Sequence, residues 1–156
     1  MTLTKRLFLI AAVLVAVGVT VPILGRPAQG GQALPAVTVY KDPNCGCCSL
    51  WITHLERAGF RVTATNTADM PALRTKLGVP AHVQSCHTAV VNGFVVEGHV
   101  PADDVKRLLT SRPKVKGIAV PGMPIGSPGM EQGDVKHHYS VLTFDEAGRT
   151  TVFAAH

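Results

Sequence analysis

Three of the four cysteines fall within four residues, Cys45-Gly46-Cys47-Cys48, and the fourth, Cys86, stands well downstream. That spacing constrains the fold more than any other feature. Four cysteines in one small domain normally suggest two structural disulfides, but neighbouring Cys47 and Cys48 cannot bridge each other without strain. A Cys45–Cys48 bridge of the redox CxxC type remains open and would leave Cys47 and Cys86 over. The pattern reads as a chemical site rather than a covalent staple.

The flanking sequence supplies a scaffold for it. Ala36-Val-Thr-Val-Tyr40 is short and β-rich, and Asp42-Pro43-Asn44 turns the chain directly into the thiols. Ser49 to Ala58 sets Trp51, Leu55 and Ala58 on one helical face, with Gly59 as the stop. Phe60 to Thr65 alternates as a half-buried strand, and Asp69 to Leu77 forms a short helix with Pro71 early and Gly78 just beyond. Asn92-Gly93 between Thr88–Val91 and Phe94–Val96 predicts a hairpin. Pro101 to Thr110 forms a third helix, with Asp103 and Asp104 early and Lys106 and Arg107 late. The order β-α-β-α-β-β-α is that of a thioredoxin-like α/β sandwich. Residues 117–130 are a Gly/Pro/Met-bearing loop, and a β-hairpin over Tyr139–Phe144 and Thr150–Phe153 extends the C-terminus.

In this arrangement the three thiols occupy the first turn of the first helix. The positive dipole end and unpaired N–H groups there favour thiolate. Cys86 precedes the strand whose start faces that same helix terminus. A thioredoxin-like fold usually has a cis-proline at this junction, where the present chain has Ser85-Cys86-His87-Thr88. Four thiolates repel one another, and a helix terminus offsets only about half a charge. A bound cation resolves the conflict. One tetrahedral zinc suits cysteines spaced by at least two residues, and the ferredoxin spacings do not match. Helical neighbours diverge by about 100°, which suits sulfurs bridging several ions. Multinuclear copper(I) therefore fits best, with zinc behind it. His87 and His99 are secondary candidates or satisfied strand-end residues, His87 the better because it adjoins Cys86. Met123 and Met130 are either thioether contacts for copper or hydrophobic plugs. His54, His82, His137, His138 and His156 read as solvated, at most a loose second copper site, and Trp51 as core.

The run from Asp42 to Cys48, with Gly78-Val79-Pro80, Ser85-Cys86-His87-Thr88-Ala89, Glu97-Gly98-His99-Val100-Pro101, Val120-Pro121-Gly122-Met123-Pro124 and Gly126-Ser127-Pro128-Gly129-Met130, resembles the CopG-like proteins, which are exported and associated with copper resistance. The resemblance spans roughly residues 36–154. It implies a thioredoxin-like domain, a copper cluster on Cys45, Cys47, Cys48 and Cys86, and copper handling in the periplasm alongside other copper-handling proteins. It leaves open whether copper redox is part of the role. The competing function is a thiol–disulfide oxidoreductase with Cys45 attacking and Cys48 resolving, followed by a zinc-stabilised adaptor.

The N-terminus agrees with export. Leu7 to Leu24 is an uncharged, largely apolar run after Lys5-Arg6, and a small-residue stretch follows it. Residues 1–33 are expected to be a cleaved signal, with a retained anchor helix as the other reading. No cysteine adjoins the run, which excludes a lipoprotein anchor. Lys5, Arg6 and Arg26 account for three of the five net positive charges, so the remainder is only slightly basic. No Lys/Arg cluster interleaved with aromatics is present, so nucleic acid is excluded as a partner, and a membrane enters only through the N-terminal segment.

Overall fold

A computed structural model describes residues 33–156, so the expected leader lies almost wholly outside the described residues. Seven strands, β1 (Val37–Lys41), β2 (Val62–Asn66), β3 (His87–Val91), β4 (Phe94–Glu97), β5 (Gly117–Ala119), β6 (Ser140–Phe144) and β7 (Thr150–Ala155), form one sheet in the order β2-β1-β3-β4-β5-β6-β7. Three helices, α1 (Gly46–Arg57), α2 (Met70–Leu77) and α3 (Ala102–Ser111), complete the expected α/β sandwich with its C-terminal extension. No described helix is long and apolar enough to cross a membrane.

Strand alternation sorts the apolar side chains between the two faces. Val37, Val39, Ala89, Val91, Val96 and Ile118 face Trp51 and Leu55 of α1 and Val105 and Leu108 of α3. Val95, Ala119 and Phe144 point the other way and meet Val79 and Val83, just beyond α2. The predicted hairpin is present. Asn92 at φ 46° and Gly93 at φ 85° supply the left-handed pair that a tight β3–β4 turn requires.

Two expectations fail. The strand expected over Phe60–Thr65 lies at Val62–Asn66, and four of its five residues are exposed. It is one of the sheet's two edge strands, parallel to β1, so its alternation did not mark a buried face. Residues 117–119, expected as loop, form β5 between β4 and β6. Gly117 is required there, because a Cβ would lie 2.1 Å from the Val95 carbonyl oxygen.

Candidate metal centre

The Asp42-Pro43-Asn44 turn is closed by its own polar groups. Asp42 accepts from the Asn44 amide at 2.8 Å and from the Cys45 amide through its carbonyl at 3.1 Å. Cys45 then caps α1, its sulfur accepting from the Cys48 amide at 3.3 Å. The first helical turn thus presents all three sulfurs, as the spacing predicted. Cys86, at the entry to β3, closes the group, and the four Sγ atoms lie within 4.8 Å of one another. Cys47 Sγ is 3.5 Å from Cys45 Sγ and 4.0 Å from Cys86 Sγ.

In this structure the four sulfurs are not all thiols. Cys45 and Cys48 are joined as a disulfide across a Cα separation of 5.4 Å, and Cys47 and Cys86 are the two free thiols. Residues three apart on a helical first turn face one another, which brings this pair within bonding reach and leaves Cys47 beside it. Cys48 is fully buried, whereas Cys45, Cys47 and Cys86 are half-exposed. Burial pushes the Cys86 thiol up to about 12, and the neighbouring Cys47 adds to the rise.

The histidines are ordered differently from expectation. His99 Nε2 lies 2.9 Å from Cys86 Sγ, closer than His87 Nδ1 at 3.3 Å. His99 Nδ1 meets the Pro128 carbonyl oxygen at 2.8 Å. A carbonyl only accepts, so Nδ1 carries the proton and Nε2 accepts from the Cys86 thiol. His87 is fully buried, packed against Trp51 and edge-on to His99, with ring centroids 4.4 and 4.9 Å away. Its Nε2 has no hydrogen-bond partner. Burial, reinforced by His99, pushes its pKa down to about 3, and burial also lowers that of His99. Cys86, His87 and His99 form a second group of donors within 4.8 Å.

The loop that carries Pro128 is fixed by Gly129. At φ 84° a Cβ on this residue would lie 2.8 Å from the Trp51 amide nitrogen and 3.0 Å from the Cys47 carbonyl oxygen. Only glycine lets the loop lie against α1. Met130 is half-buried beside this contact, while Met123 is 52% exposed.

On the opposite face, the Cys86 junction is held by a saturated ion pair. Glu97 is fully buried and accepts from Arg74 Nε at 2.9 Å, the Ser85 amide at 2.8 Å and the Thr88 hydroxyl. Arg74 also donates to the Ser85 carbonyl. Burial pushes the Glu97 carboxyl above its ordinary range, against the pull of these donors. Sequence reasoning passed over both residues, although an acid closing the apolar run Phe94-Val95-Val96 was a visible signal.

Two histidines expected to be only solvated also have partners, although His156 is exposed. His54 Nε2 accepts from the Ala102 amide at 3.0 Å and so caps α3, whose preceding residue, Pro101, has no capping side chain. His156 stacks on Tyr139 and meets Asp104 at 2.7 Å. Trp51 is core, as expected, and its indole N–H donates to the Val100 carbonyl at 2.8 Å.

A family model described as a protein of unknown function, DUF411, matches residues 83–130, the stretch that holds Cys86, His87, His99 and Pro128. No curated protein matches the chain. Two solved structures do, named Copper resistance protein copG, form 2 and form 1. Each is 50% identical to this chain, covering 79% of it and 98% of the solved chain, with TM-scores of 0.76 and 0.75. With half the residues identical over nearly the full length of those structures, the chain belongs to the CopG family.

Proposed function

We propose that the protein is exported and holds copper(I) in copper resistance, as a multinuclear thiolate cluster on Cys45, Cys47, Cys48 and Cys86. The observation that carries this reading is the convergence of four sulfurs within 4.8 Å at a helix N-terminus. Soft sulfur donors select copper(I) over harder ions, and two solved relatives are named copper resistance proteins. In this reading the Cys45–Cys48 bond must first be reduced, because a disulfide sulfur offers no thiolate. His99 and His87 are the further donors beside Cys86, Met123 and Met130 are candidate thioether contacts, and other periplasmic copper-handling proteins are the partners for exchange. Residues 1–33 act as the export signal, and residues 36–154 form one thioredoxin-like domain, a reading supported by the element order and by the CxxC pair opening α1.

The test is a copper(I) titration of anaerobic, fully reduced protein, with metal analysis. Several ions per chain are expected, and fewer in Cys47→Ser and Cys86→Ser. The second reading is a thiol–disulfide oxidoreductase, favoured by the bond between Cys45 and Cys48 itself. Unimpaired disulfide exchange in both serine variants, with no copper uptake by the parent, would reverse the order of the two readings.

A further inference from the structure

We infer that closing the Cys45–Cys48 disulfide does not abolish metal binding but changes the donor set. What remains is a one-copper site built from the sulfur of Cys86 and the imidazoles of His99 and His87, donors that lie within 4.8 Å of one another, with Cys47 beside Cys86. The inference rests on the reading of the chain as a copper(I) protein and adds a redox dependence to its capacity.

The geometry on which it stands belongs to the disulfide-closed form. Cys86 Sγ lies 2.9 Å from His99 Nε2, 3.3 Å from His87 Nδ1 and 4.0 Å from Cys47 Sγ. An ion at about 2.0–2.3 Å from nitrogen and sulfur ligands has its donors roughly 3.5–4 Å apart, so Cys86, His99 and His87 need only small shifts to enclose one. Cys45 and Cys48 are not required. The Pro128 carbonyl fixes His99 Nδ1 as the protonated nitrogen, and a metal ligand must offer the other nitrogen bare. His87 is fully buried and its Nε2 lacks any partner, a desolvation cost that an apolar residue would not incur. A purely structural pocket has no need of two neutral imidazoles packed around one thiol.

Loading the closed site is proton-balanced. Copper(I) forms a bond to Cys86 Sγ, and the thiol proton leaves to solvent. Opening to the larger site is thiol–disulfide exchange with an exported dithiol. Its thiolate attacks Cys45 Sγ, the half-exposed sulfur of the pair, and expels the buried Cys48 thiolate. The second thiol of the reductant then attacks the reductant's own sulfur in that mixed disulfide and expels Cys45 as thiolate. Two electrons and two protons pass to the protein, and the reductant leaves as its own disulfide. The chain thereby holds several ions when reduced and one when closed.

The experiment compares metal-free protein in both forms, verified by thiol count, each titrated with copper(I) against a competing chromogenic chelator. Closed protein should take one ion per chain, with two thiols countable once the copper is stripped, and reduced protein more than one. Closed Cys86→Ser should take none, and closed His99→Ala should bind at least tenfold more weakly. The Cys45→Ser/Cys48→Ser variant cannot close, and it should take one ion under either condition. If His99→Ala fails to fold, the cysteine variants decide alone. Closed protein that takes no copper, or as much as the reduced form, overturns the inference, as does an unchanged affinity in His99→Ala. A reduced protein that takes no copper overturns the underlying copper reading instead.

Discussion

Residues 85–88 are gripped from two sides, and the grips are opposite in kind. On the α2 side, Glu97 and Arg74 form a charged pair in which the carboxylate accepts from Arg74, Ser85 and Thr88. On the α1 side, His87 and His99 approach Cys86 as neutral rings, and the bare Nε2 of His99 faces its sulfur. One face uses its hydrogen-bonding capacity to hold the backbone still. The other leaves the buried Nε2 of His87 without a partner, at a cost to stability that a binding site can bear. A fold needs the first arrangement, and only a site for something absent from the apoprotein needs the second.

The largest expected effect breaks the saturated side. Removing one partner of a buried pair leaves the other uncompensated, a loss of about 3–5 kcal/mol. Glu97→Ala and Arg74→Met should each fall in this range in urea denaturation of the metal-free protein. The double variant Arg74→Met/Glu97→Met should cost less than the sum of its parts, because neither charge is then left alone. A loss below about 1 kcal/mol in both single variants would mean that the pair does not hold the junction.

The two grips also differ in how far the sequence announced them. The Cys45-Gly46-Cys47-Cys48 spacing after a β-rich strand placed three sulfurs on the first turn of α1, and the hairpin at Asn92-Gly93 fixed where the strand after Cys86 runs. Those are local signals, carried by turn chemistry and helix periodicity. The Cys45–Cys48 bond stood open in the sequence beside a site of four thiolates, since a spacing permits a bridge without requiring it. His99 ranked below His87 because adjacency to Cys86 was the only criterion at hand. Its advantage comes from Pro128, 29 residues away, whose carbonyl sets the tautomer. Arg74 and Glu97 likewise meet across 23 residues. His54 read as solvated because nothing local shows that a distant helix lacks its own cap.

The next effect sharpens the contrast through pH. In the closed form, burial holds the Cys86 thiol at about 12, so it is protonated throughout the neutral range, and copper must displace that proton. His99 has a lowered pKa, so above pH 6.5 it presents its lone pair without competition from a proton. The sign follows from these two facts: affinity rises with pH, about tenfold per unit for one displaced proton. Between pH 6 and 8, competition titrations of the closed protein should show at least a 100-fold gain, about 2.7 kcal/mol. A flat affinity would mean that Cys86 is not a ligand.

The smallest effect has the opposite sign from the first. His87 is fully buried and carries an unpartnered Nε2, while Leu is close to it in volume and asks for no hydrogen bond. Removing an unsatisfied polar atom from the interior recovers its desolvation cost. His87→Leu should therefore stabilise the metal-free protein, by about 1 kcal/mol once imperfect packing against Trp51 is counted. In a domain of this size that is a rise of roughly 3–5 °C in Tm. The same variant should bind copper(I) more weakly in the closed form, since one of the nitrogens beside Cys86 is gone. Gain and loss in a single substitution would show that this face trades stability for a ligand. A variant that melts lower than the parent would instead place His87 among the residues that hold the fold, and the asymmetry between the two grips would disappear.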